Sequence, residues 1–205
     1  MMKVMCGRPV FIFSMLSISS LYFVVTAIQF WTSDYTQFHY KTSPSFSYMS
    51  FAVTCITAPT AGVIVGGIIV SRLGGYEHPN ALKICVVVAL LACMSAGPIP
   101  FVSNVWVFTV LMWVLLFFGG FIMPNLLGIM INSLPSNIRA IGNSFASIFF
   151  NVLGFLPAPF LYGAMISLTN SESNLGMLVT MSYSATGFLW TLCALGARSK
   201  KKKKN

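Results

Sequence analysis

The stretch INSLPSNIRAIGNSFASIFFNVLGFLPAPFLYG runs from Ile131 to Gly163. It carries one basic residue, Arg139, and no acid; its apolar run is interrupted by Pro135, Pro157 and Pro159 and by Gly142, Gly154 and Gly163. A helix of roughly 20 mostly apolar residues crosses a bilayer, and Ile138–Leu168 exceeds that length. The spacing predicts a membrane helix entered at Arg139 and packed closely where the glycines fall. Pro157 and Pro159 bend it near its far end, because proline gives the helix no N–H.

The rest of the chain agrees. Of its 205 residues, 57% are hydrophobic and 7% charged, whereas a soluble domain carries about 25% charged residues. Such a chain cannot cover its own surface in water and is read as an all-α membrane protein. The formal charge of +9 does not indicate nucleic acid as a partner: six of the twelve basic residues lie in the last eight, and most others flank apolar runs. The five cysteines form no C-x-x-C pair. The two histidines, His39 and His78, belong to no metal-ligand cluster. No nucleophile stands beside a base, so the chain is not read as an enzyme, and no cofactor or metal is expected.

Six spans are legible: Pro9–Trp31, Tyr48–Val70, Ala81–Ile99, Val102–Ile131, Ile138–Leu168 and Gly176–Ala197. Each must be a helix, since backbone facing lipid has to satisfy its own hydrogen bonds. Between them lie a polar connection, Thr32–Ser47, a loop Ser71–Asn80, a tight turn at Pro98–Phe101, a short link Asn132–Asn137, and a polar loop Thr169–Leu175 holding Glu172. This divides the chain into an N-terminal segment (1–8), a six-helix domain (9–197) and a polybasic tail (198–205). Eleven lysines and arginines lie on the side of the termini and Lys41 alone on the other, so both termini are expected to be cytoplasmic. Lys3, Arg8 and Val25-Thr26-Ala27 imitate a signal peptide, but its removal would leave five spans and reverse the charge bias.

Polar residues within spans are the candidate functional groups, because they are unfavourable against hydrocarbon. Ser19, Tyr22, Thr26 and Gln29 share one face of the first span; they read either as a solute-contacting stripe or as helix–helix hydrogen bonding. The fourth span offers Thr109 and Trp113 on one face and Asn125 beyond Pro124. The fifth carries Asn143, Ser147 and Asn151 at intervals of four. Arg72 and Arg139 mark the ends of spans, either as gate residues or as topology markers. Gly74 and Gly75 allow a sharp turn. Ala58-Pro59 in the second span and Ala158-Pro159 in the fifth, each followed by a glycine, hint at two three-span units inserted in opposite senses. No acid lies deep in any span: Asp34, Glu77 and Glu172 fall in loops or at helix ends.

Four segments together carry a resemblance: GGIIVSRLGGYE (Gly66–Glu77), SLPSNIRAIGNSF (Ser133–Phe145), LGFLPAPFLYG (Leu153–Gly163) and LYFVVTAIQFWTSDY (Leu21–Tyr35). The chain resembles the C-terminal six-helix half of a major facilitator superfamily transporter, over nearly its whole length. Within that superfamily, its L-P-x-x-x-R-A…G…L-G…P-x-P…G pattern is similar to Spinster-like lipid transporters and organic-anion-transporting polypeptides. Ser71 stands where the superfamily's loop has an acid, and Gly75-Tyr76 replaces its second basic cluster.

The resemblance implies two inverted three-helix repeats and alternating access for a small organic or amphipathic solute. It implies that the first and fourth spans line the cavity and that Asn143, Ser147 and Asn151 meet a second six-helix half. Arg72, Gly74, Gly75 and Arg139 would form the inner gate; Pro59, Pro157 and Pro159 would be bend points. The expected partners are membrane lipid, the solute and that second half. The other reading is a non-transporting six-helix scaffold or regulator that associates with an intact transporter. The tail RSKKKKKN reads as a topology anchor, an anionic-lipid contact or a dilysine retrieval signal.

Overall fold

A computed structural model of the chain describes residues 2–168 and 173–202. The loop holding Glu172 and the last three residues of the tail lie outside the described residues. The elements in chain order are α1 (Met2–Cys6), α2 (Pro9–Tyr40), α3 (Pro44–Arg72), α4 (Pro79–Ala96), α5 (Val105–Asn132), α6 (Arg139–Phe149), a π-helical turn (Phe150–Phe155), α7 (Pro157–Leu168) and α8 (Ser173–Lys202). Six stretches are long and apolar enough to cross a membrane, with α6, the π turn and α7 together forming the fifth.

Sequence chemistry sets where the helices start. Pro9, Pro44 and Pro79 occupy first positions, where the missing N–H costs nothing. Ser43 accepts from the Phe46 N–H at 3.4 Å, and Asn104 accepts from the Trp106 N–H at 2.9 Å, each satisfying an orphan donor of the first turn.

The stretch expected as a polar connection, Thr32–Ser47, is mostly helix. The first span runs on to Tyr40 and turns at Lys41, whose φ of 52° is left-handed. Thr32, Tyr35 and Thr36 keep a helical spacing and are buried. Tyr35 stacks on Phe108, and the Tyr40 hydroxyl donates to the Val102 carbonyl at 2.6 Å. The sixth helix likewise extends past Ala197 to Lys202, so the first part of the expected tail is helical.

The first span is the central helix: 67% of its apolar stretch is buried, against 22% in the fifth. It is fastened to α8 by Ser17, whose hydroxyl donates to the Gly187 carbonyl at 2.9 Å and lies 2.7 Å from the Thr191 hydroxyl. Phe23 stacks on Tyr183 and Phe13 on Trp190 across the same seam. In an apolar solvent such packing and interhelical hydrogen bonds replace the hydrophobic effect as the source of association.

The packing pairs follow a pattern. The second span packs on the fourth and the fifth on the first; the third packs on the fourth and the sixth on the first. The first also meets the fourth, and the third meets the sixth. Exchanging spans one, two and three for four, five and six returns this set of pairs. The contact between α7 and α8 breaks the pattern, having no counterpart of like extent between α3 and α4.

Glycines permit the two matched crossings. A Cβ on Gly120 would lie 2.4 Å from the Pro59 carbonyl oxygen, and one on Gly62 would lie 2.0 Å from that of Phe117. At the other crossing, a Cβ on Gly154 would lie 2.4 Å from the Ser19 carbonyl oxygen.

Candidate functional site

The fifth span is not one continuous α-helix: a π-helical turn at Phe150–Phe155 stands between α6 and α7, just before Pro157 and Pro159. The turn before Pro157 is widened to π geometry, and the Leu156 N–H donates to the Asn151 carbonyl five residues back at 2.8 Å. Pro157 and Pro159 supply no N–H to the preceding turn, so the ladder cannot keep its α spacing there. Pro59 behaves differently: it lies within the unbroken helix α3, as Pro124 does in α5. The two Ala-Pro pairs still hold comparable places. Ala58 and Ala158 are fully buried. The Pro59 carbonyl lies against Gly120, and the Pro159 carbonyl accepts the Trp31 indole N–H at 3.3 Å.

The stripe on the first span turns out to be largely covered. Ser19 is buried and donates to the Met15 carbonyl at 3.0 Å. Tyr22 stacks on Phe150 of the π turn, and Thr26 is buried. Gln29 alone of the four is exposed. Ser19 and Tyr22 therefore lie against the fifth span, and Thr26 is buried within the bundle.

Asn125 is also placed away from any open face. It is 1% exposed and donates to the Phe121 carbonyl at 2.7 Å. A Cβ on Gly66 would lie 2.7 Å from its amide nitrogen. Its Oδ1 has no hydrogen-bond partner.

Thr109 and Trp113, by contrast, line an open groove of about 420 Å³ between α3 and α5. Aromatic rings form its walls: Phe46 meets Trp106 edge-on, and Trp113 stacks on Phe117. The Trp113 indole N–H donates to the Thr57 hydroxyl at 2.9 Å. Ser50 and Thr54 supply further hydroxyls. Sequence reading missed this contribution from the second span. Ser47, Ser50, Thr54 and Thr57 recur at helical spacing, but single hydroxyls in an apolar run are a weak signal, since each can bond its own helix.

Asn143, Ser147 and Asn151 lie together on the uncovered side of the fifth span. Asn143 and Asn151 are exposed and Ser147 is half-buried. Their bonds run only along their own helix: Ser147 donates to the Asn143 carbonyl at 2.9 Å, and Asn151 to the Ser147 carbonyl at 2.7 Å. The rest of each amide faces outward.

At the end of the bundle that carries Arg8 and Arg198, the loop after α3 closes in a Schellman turn. The Gly74 N–H donates to the Ser71 carbonyl at 3.1 Å and the Gly75 N–H to the Val70 carbonyl at 3.0 Å. Both glycines have positive φ, 97° and 81°, which side chains with a Cβ resist. Arg72 is exposed. Arg139 is half-buried, and its Nε donates to the Leu134 carbonyl at 3.2 Å, just past the end of α5. Among the described residues no group of three His, Cys, Asp or Glu could hold a metal.

A search of the curated proteins finds no match for the chain. The family model of the Organic Anion Transporter Polypeptide (OATP) family matches residues 1–103, which hold the first three spans and the Schellman turn. With six membrane-crossing helices and a match over half its length, the chain belongs to the Organic Anion Transporter Polypeptide family, a family of membrane transporters.

Proposed function

We propose that this chain is one six-helix half of an alternating-access transporter for amphipathic organic anions. In this reading its uncovered second and fifth spans face a second six-helix unit. The observation that carries the reading is the amide stripe of the fifth span. Asn143 and Asn151 present outward amides within an apolar span, and such groups are unfavourable against lipid unless protein or water covers them. The paired packing of spans one to three and four to six supports two inverted repeats, the arrangement of major facilitator halves.

The groove between α3 and α5 suits the solute. Its indole and phenyl walls take an apolar body; the Ser50 and Thr57 hydroxyls donate to the Ser47 and Val53 carbonyls of their own helix, so an anionic group would compete for their single O–H donors. The aromatic–hydroxyl lining and the family together favour an organic anion over an inorganic ion.

The test is uptake of a labelled amphipathic organic anion into vesicles that hold the chain in its assembled form. Saturable uptake, lowered about tenfold by Trp113→Ala with assembly intact, is the expected result. Uptake no greater than in empty vesicles, from a chain that is folded and assembled, overturns the reading.

A further inference from the structure

The largest described cavity, about 540 Å³, lies away from the groove, at the end of the bundle that carries Arg8 and Arg198. Four elements converge on it: the start of α2, the loop after α3, the end of α5 and the end of α8. Their sequence brings two arginines, Arg8 and Arg198, to its lining, together with Tyr76, Glu77, Asn132 and Ser133. Leu134 and Ile129 provide an apolar floor and are buried.

The loop is held over this cavity by the fold. Its Schellman turn aims the chain back toward α5, and Gly128 lets the Tyr76 ring lie against that helix; a Cβ there would come within 2.8 Å of the ring. Arg198 donates one hydrogen bond to the Glu77 carbonyl. A guanidinium has five N–H donors, so most of its capacity stays available. Arg8 makes no side-chain hydrogen bond or ion pair among the described residues. Glu77 is the one carboxylate lining the cavity, which leaves a net positive charge there.

We propose that this cavity holds the phosphate-bearing headgroup of an anionic phospholipid from the adjoining leaflet. Arg8 and Arg198 both line the cavity, and arginine guanidiniums bind phosphate oxygens in bidentate fashion. The Asn132 amide and the Tyr76 hydroxyl offer hydrogen bonds to the remaining headgroup oxygens. The apolar floor assigns the ligand to a lipid rather than a soluble phosphate, since it gives the glycerol and upper acyl carbons a surface to cover. The site does not depend on transport, so it stands or falls separately from the groove. It also differs from the polybasic tail: a run of lysines attracts an anionic surface without selecting a headgroup.

The test uses the full chain in neutral phosphatidylcholine nanodiscs, into which phosphatidylinositol 4-phosphate is titrated while bound lipid is counted by native mass spectrometry. Saturable binding of one lipid per chain is expected. The pair Arg8→Gln and Arg198→Gln together should weaken it about tenfold or more. Replacing Lys200 to Lys204 by serine should weaken it less. Glu77→Gln should tighten binding severalfold, a result that misfolding cannot produce.

Soluble inositol 1,4-bisphosphate should compete only weakly. Competition as strong as the lipid's own binding overturns the lipid assignment. Unchanged binding in the double arginine variant, or weaker binding in Glu77→Gln, overturns the site.

Discussion

The indole of Trp113 reaches across from α5 and donates to the Thr57 hydroxyl of α3 at 2.9 Å. It is a hydrogen bond between two spans at the open groove, and it ties the aromatic wall to the hydroxyl floor. A bond in this position both holds the two helices and fixes the ring that a solute would meet.

Trp113→Phe keeps the ring stacking and removes the donor. Combined with Thr57→Val in a double-mutant cycle, it should give a coupling of about 0.6 kcal/mol, the usual size for interhelical hydrogen bonds in membranes. Reversible unfolding in mixed micelles measures it. A coupling of zero would mean that the two side chains do not meet.

Gly120 lies against the Pro59 backbone, whereas a Cβ on its neighbour Gly119 would meet nothing within 4 Å. Gly120→Ala must therefore push α3 and α5 apart, with a destabilisation of about 1–3 kcal/mol. Gly119→Ala should be neutral or slightly stabilising, since alanine is the better helix former. The same measurement separates the two, and equal effects would contradict the crossing geometry.

Buried hydroxyls differ in how they are partnered. Thr191 donates to the Gly187 carbonyl at 2.8 Å and pairs with Ser17, whereas the Thr32 hydroxyl is buried without a partner. Thr191→Val should cost about 1 kcal/mol, because it removes the Thr191 hydroxyl from between Ser17 and the Gly187 carbonyl, although Ser17 keeps its own bond to that carbonyl. Thr32→Val should leave stability unchanged or raise it, since it removes an unsatisfied group of the same shape.

The π turn makes a prediction about exchange. Pro157→Ala and Pro159→Ala together return the missing N–H groups and should allow the turn at Phe150–Phe155 to close to α geometry. Amide hydrogen exchange there should slow, and the outward stripe at Asn151 should rotate relative to α7. Lower transport with equal or greater thermal stability is the expected signature.

The number of spans was legible because apolar length is a strong physical signal. The ends of the helices were less so. The residues after Trp31 look polar one by one, yet Thr32, Tyr35 and Thr36 are buried at helical spacing, so periodicity carried what composition hid. The stripe of Ser19, Tyr22 and Thr26 was legible as a shared face, but not what covers it: the π turn lies against it, and no local pattern in the first span encodes its neighbour. Thr109 and Trp113, which line the groove, stood out in the sequence because an aromatic on the same face as a hydroxyl is conspicuous. Thr57 was missed because a lone threonine is not. The cavity between Arg8 and Arg198 joins residues from opposite ends of the chain, a proximity that only the packing of α2 against α8 creates.

The central claim is that the amide stripe of the fifth span faces protein or water and not lipid. Single cysteines at Asn143, Asn151 and, as lipid-facing controls, Val87 and Met94, placed in a cysteine-free chain in membranes, test it most directly with a water-soluble maleimide and a lipid-phase maleimide. The account predicts that positions 143 and 151 react with the water-soluble reagent, or are protected from both and cross-link to a second six-helix unit. It predicts that positions 87 and 94 react only with the lipid-phase reagent. Labelling of 143 and 151 by the lipid-phase reagent alone would contradict it.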